Sequence, residues 1–125
     1  MRRQSPKTAA IYRKHGPERK AFVEQMGRCA ICSTYMDLCC HEITNGPNRM
    51  KGFVERAAWL CLCSNCNCNV VTDRLQWPLE KQLALKLIVD PAGFSLVKIE
   101  EILAPRRFES DRVLDFVVEL LQERQ

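Results

Sequence analysis

No apolar run in this sequence approaches the roughly 20 residues that a membrane-spanning helix needs. The first ten residues, MRRQSPKTAA, lack the apolar stretch of a secretory signal, so the expectation is a cytoplasmic protein with no membrane partner. Internal repeats are absent too, which leaves a repeat architecture without support. Nor is there the compositional bias of a disordered chain: 46% of residues are hydrophobic and 27% charged, as in ordinary globular proteins. A chain of 125 residues makes one domain with a modest core, and a core that small calls for an added staple.

What is abundant is cysteine. Eight are present, and four fall into two CxxC pairs, Cys29/Cys32 and Cys63/Cys66. Without a secretory signal the thiols are expected to stay reduced, so metal ligation accounts for the pairs better than disulfides do. A CxxC turn brings two sulfurs close enough to share one ion, and two such pairs complete the tetrahedron that zinc prefers. The separation of the pairs, residues 33–62, fits a treble-clef-like arrangement in which a knuckle supplies one pair and a helix start the other. A redox CxxC would need no second pair. Of the remaining thiols, Cys61 and Cys39 are read as packing residues, with a second metal cluster built from Cys39 or Cys40, His41, Cys61 and Cys68 as the alternative.

Charge is uneven. Residues 1–28 carry eight Lys/Arg against Glu18 and Glu24, a net +6 in a chain whose total is +4. Residues 75–125 carry seven basic and nine acidic side chains, a net −2. A basic leading segment suits a polyanion partner, and it equally suits a solvated arm.

Along the chain, Gly16-Pro17-Glu18 predicts a helix start, with Ala21, Phe22 and Met26 at helical spacing and Gly27 as its left-handed close. Residues 1–15 have few apolar anchors and are expected to fray. Residues 36–43 and 59–63 predict strands. Asn45-Gly46-Pro47-Asn48 is a turn signal between them, and 67–72 can begin a helix. Helices are predicted over 79–89, closed by Asp90-Pro91-Ala92-Gly93, over 95–103, and from Ser110-Asp111 onward. In the last of these Val113, Leu114, Phe116, Val117, Leu120 and Leu121 form the apolar set, available to the zinc unit or to a second copy in a homodimer. Three stretches result: a basic arm and helix (1–28), a zinc-binding centre (29–75) and a helical extension (76–125).

The run CAIC, then CHEITNGPNR, then WLCLCSNCN resembles the HNH endonucleases of the His-Me finger group, especially phage-type versions reading CxxC…HEI..G..R…LCxxCH. The resemblance covers about residues 29–72. It implies an α+β fold with a small zinc-stapled ββα centre, flanked here by an N-terminal helix and C-terminal helices. It also implies a catalytic divalent cation, Mg2+ or Mn2+, beside the structural Zn2+, and DNA as the substrate. Cys29, Cys32, Cys63 and Cys66 match the structural zinc ligands. His41 matches the histidine that takes a proton from the attacking water, and Asn67 matches the last motif position, a cation ligand. In the other register His41 is the cation ligand and Glu42 the base. The chain departs from the pattern at Cys40, where an Asp or His is usual, and near Ala58, where the middle Asn is missing. A degenerate member that binds DNA, or acts as an adaptor, without cutting is therefore the alternative, and a zinc-stapled protein-interaction domain is a third. Phosphate contacts are expected from Arg49, Lys51 and Arg56 in the loop, and from Arg13, Lys14, Arg19 and Lys20 in the basic arm.

Overall fold

The structure, a computed structural model, describes residues 6–44 and 49–124, the Arg49 side chain excepted. The turn expected at 45–48 lies outside these residues. The first element, α1 (Pro6–Met26), runs unbroken through Gly16-Pro17, where a helix start was expected. Pro17 has no N–H to give to the Arg13 carbonyl, a loss worth about 3 kcal/mol inside a helix. Anchors just downstream offset it. Phe22 is buried, and the Arg19 guanidinium donates to the Phe53 and Cys40 carbonyls at 3.1 and 3.0 Å while lying 4.0 Å over the Phe53 ring. Gly27 (φ 70°) closes the helix in the left-handed conformation, its N–H on the Val23 carbonyl.

Two strands, β1 (Leu38–Glu42) and β2 (Trp59–Cys63), pair antiparallel with Cys40 opposite Cys61 and His41 opposite Leu60. The first starts two residues later than the apolar pattern suggested, because Asp37 sits at φ 55° and turns the chain. The Asp37 carbonyl accepts from both the N–H and the hydroxyl of Ser64, which seals that end of the sheet. Every residue of β2 is buried. Between the strands, where the sequence read only as a loop, lie the short helix α2 (Arg49–Phe53) and a 3-10 turn (Arg56–Ala58) capped by the Glu55 carboxylate. The Trp59 indole N–H ties this segment down by donating to the Gly52 carbonyl at 2.8 Å.

Gly52 is required by contact rather than by φ. A Cβ there would run into the Thr44 hydroxyl and lie 3.1 Å from the Thr44 carbonyl oxygen. Gly52→Ala should therefore cost about 1–3 kcal/mol, the usual range for overpacking. In a urea titration the double variant Gly52→Ala, Thr44→Ala should be more stable than the two single losses predict by addition, because they share one clash.

After β2, residues Cys66–Val70 form a wide π-type turn in which the Val71 N–H reaches the Cys66 carbonyl at 3.0 Å. This replaces the helix expected over 67–72. Three helices follow: α3 (Leu79–Val89), α4 (Leu96–Leu103) and α5 (Ser110–Glu123). The Ser95 hydroxyl caps α4 by accepting from the Lys98 N–H at 3.2 Å. One continuous apolar cluster joins Phe22 of α1, all of β2, Leu83 and Leu85 of α3, Ile99 of α4, and Val113 and Leu120 of α5. The basic helix, the cysteine-rich centre and the C-terminal helices thus share a core. Helix α5 packs on α3 through Val113 and Leu120, while Leu114 and Leu121, expected on the same apolar face, point outward. The Arg124 guanidinium reaches back to the Ala30 carbonyl at 3.0 Å. Among the described residues no helix is long and apolar enough to cross a membrane.

Beneath this core lies a buried charge cluster. Lys86 of α3 is fully buried and pairs with Asp90, which also receives two hydrogen bonds from Arg56 at 3.0 and 3.1 Å.

Candidate metal centre and histidine site

The two CxxC pairs meet. The Sγ atoms of Cys29, Cys32, Cys63 and Cys66 all lie within 4.8 Å of one another, although the pairs are 30 residues apart in the chain. Zn–S bonds of about 2.3 Å place tetrahedral sulfurs about 3.8 Å apart. The Cys32 and Cys63 sulfurs are 3.6 Å apart, and all eight cysteines are free. This donor set fits a tetrahedral metal and is far from disulfide distance.

Local backbone builds the cluster. The first pair sits on a tight turn: the Ser33 N–H returns to the Cys29 carbonyl at 2.9 Å, and Ser33 takes φ 66°. The Ala30 N–H bonds the Cys61 carbonyl at 2.8 Å, docking the turn on β2. In the second pair the Cys66 N–H points at the Cys63 sulfur from 3.4 Å. Burial works to raise the Cys29 thiol, but N–H groups of Cys32, Cys63 and Ile31 prevail and hold it down to about 7. In place of the helix start expected at the second pair, a π-type turn supplies the Cys66 N–H. Cys66 is pushed up by burial and by its sulfur neighbours, as a clustered thiol is until an ion takes its proton's place.

The remaining cysteines do not form a second cluster. Among the described residues the four above are the only group of three or more Cys, His, Asp or Glu donors brought together. The Cys39 thiol donates to the Leu62 carbonyl at 3.2 Å. Burial pushes Cys40 up to about 12 and Cys61 up to about 11, so both remain neutral packing thiols.

His41 and Asn67 come together across the hairpin. His41 is only 8% exposed; its Nδ1 lies 2.9 Å from the Asn67 Oδ1, and its Nε2 lies 2.8 Å from the Gln82 Oε1. Burial lowers the ring's pKa below the ordinary histidine value, against the contacts with Gln82 and Asn67 that favour the charged form. Glu42, next along β1, pairs with Arg19 at 3.3 Å. Magnesium prefers several oxygen ligands. Among the described residues no group of three or more carboxylate, imidazole or thiol donors gathers at Asn67.

Of the basic residues, Arg13, Lys14, Lys20 and Lys51 are exposed. Arg19 is engaged inside with Glu42 and two carbonyls, and the partly exposed Arg56 is engaged with buried Asp90. The Arg49 side chain lies outside the described residues. Two residues at this site have no counterpart in the motif reading, Gln82 and Arg74, whose positive charge adds to the downward pressure on His41. The signal for Gln82 was a polar residue on the inward stripe of an apolar helix, four positions before the buried Lys86.

Compared with known proteins, the chain matches no family model, no curated protein and no solved structure.

Proposed function

We propose that this chain is an HNH-type DNA endonuclease whose ββα centre is stapled by one zinc ion on Cys29, Cys32, Cys63 and Cys66. The observation that carries this reading is the meeting of His41 and Asn67 at 2.9 Å beside a four-sulfur cluster. In this reading His41 takes the proton of the attacking water. Glu42 is tied to Arg19, which favours His41 over Glu42 as the base. A divalent cation, Mg2+ or Mn2+, when bound at Asn67 supplies charge stabilisation at the scissile phosphate. Arg13, Lys14, Lys20 and Lys51 hold the DNA backbone.

The second reading, a zinc-stapled module that binds DNA without cutting it, is favoured by one observation: both ring nitrogens of His41 already have partners in a buried position. Plasmid nicking with Mg2+ or Mn2+ separates the two. Wild type should cut and His41→Ala should not, with zinc content unchanged; a folded, zinc-loaded wild type that cuts nothing sinks the first reading. Filter retention of duplex DNA across a salt series tests the phosphate contacts. Four contacts give a log–log slope of roughly −4, and each alanine substitution should reduce it by about 1. A slope near zero would remove DNA as the partner and leave a protein-interaction domain.

A further inference from the structure

We infer that Gln82 is a positioning residue: its side-chain oxygen holds the Nε2 proton of His41 and leaves Nδ1 as the ring atom able to accept one. The tautomer rests on the Gln82 contact with Trp77, and its catalytic use rests on the nuclease reading above. The amide nitrogen of Gln82 donates to the Trp77 carbonyl at 3.1 Å. A carbonyl can only accept, so the amide cannot turn around without setting two oxygens against each other. The oxygen therefore faces His41, and at 2.8 Å the ring nitrogen opposite must carry the hydrogen. In the neutral ring Nδ1 is then a bare lone pair.

Asn67 completes the logic. Its Oδ1 at 2.9 Å suits a ring that has gained the second proton on Nδ1. Before that, its NH2 must face the lone pair, a half-turn of an amide whose two ends have nearly the same shape. Proton uptake at Nδ1 is thus matched by a partner that can serve both states. Gln82, fixed by a backbone carbonyl, accepts from Nε2 in both states without moving. It comes from α3, outside residues 29–72, so the helical extension supplies part of the site.

The test reads the ring directly, by long-range nitrogen–proton NMR of His41 at a pH above the ordinary histidine range. His15, the other histidine, is assigned with His15→Gln. Wild type should show protonated Nε2 and bare Nδ1. Gln82→Met removes the acceptor but keeps the shape; its ring should shift to protonated Nδ1, donating to Asn67, since a buried unpaired N–H is costly. A wild-type ring protonated on Nδ1, or a Gln82→Met ring unchanged from wild type, overturns the inference. Nicking gives the second arm: Gln82→Met should cut roughly 10- to 100-fold more slowly with DNA retention unchanged, as loss of an orienting partner does. A wild type that cuts nothing overturns the nuclease reading and the base role with it, while the ring pattern still decides whether Gln82 sets the tautomer.

Discussion

Removing the metal from the four-sulfur centre, or replacing Cys63 by serine, should leave the central hairpin unfolded. The cluster joins a turn at Cys29 to the end of β2 and the π-type turn, and the sheet it braces has only two strands. An isolated two-stranded hairpin is marginal in water. Structural zinc contributes apparent binding energies of about 10–16 kcal/mol, comparable with the whole stability of a small domain at about 5–15 kcal/mol. Chelation should therefore abolish the dispersed amide spectrum of residues 29–71, and added zinc should restore it. The pH dependence has a definite sign. Only thiolates bind, so apparent affinity falls as pH falls. Cys66, raised by burial, and Cys32, which is also raised, each lose a proton on binding, and Cys29, held at about 7, adds a further one below that pH. Competition with a zinc indicator between pH 8 and 6 should steepen across neutrality. A spectrum indifferent to chelator would remove the staple and the nuclease reading built on it.

Asp90→Ala should cost about 3–5 kcal/mol, because it leaves the ammonium of Lys86 buried without its counter-charge. Lys86 is fully buried, against the Phe22 ring 4.7 Å away, and its own pKa is lowered chiefly by that burial. For a domain this size the loss lowers the melting temperature by roughly 10–20 °C. Lys86→Met is expected to behave differently, changing stability by about 1 kcal/mol or less, since Arg56 still satisfies both oxygens of Asp90. Burial works to raise Asp90, but Arg56 and Lys86 hold it below the ordinary carboxylate value. A carboxyl with a depressed folded pKa contributes stability that is present above its unfolded pKa and lost as pH falls through the folded one. Wild type and Asp90→Ala should therefore converge in stability at strongly acidic pH. Equal melting temperatures for Asp90→Ala and Lys86→Met at neutral pH would show that the ion cluster is not organised around Asp90.

The parts of this fold that could be read in advance are those fixed by neighbours in sequence. A CxxC pair is a local turn, so the four sulfurs were identifiable from spacing alone. Helix α3 begins after Pro78 and ends at Asp90-Pro91, where proline chemistry leaves little choice. No periodicity links His41 with Asn67, 26 residues apart, so no local pattern in the sequence announces their contact. What escaped depends on partners far along the chain. A helix start at Pro17 is sound by local rules, yet α1 continues because Arg19 is held by Cys40 and Phe53, 21 and 34 residues away. Gln82 reads as one polar residue in a leucine-rich helix, and its partner His41 lies 41 positions upstream. Helix α2 has five residues and no periodic signal, and the Trp59 indole, bonded to the Gly52 carbonyl, holds it in place.

The hydrogen bond from Arg124 to Ala30 spans 94 positions. During synthesis the cysteine turn is made early and must wait for its brace until α5 has left the ribosome. A nascent chain stalled before α5 would expose the sulfur turn without that support, to the metal and to solvent alike. Loaded with zinc at the four sulfurs, such a chain should release the ion faster than the full chain does.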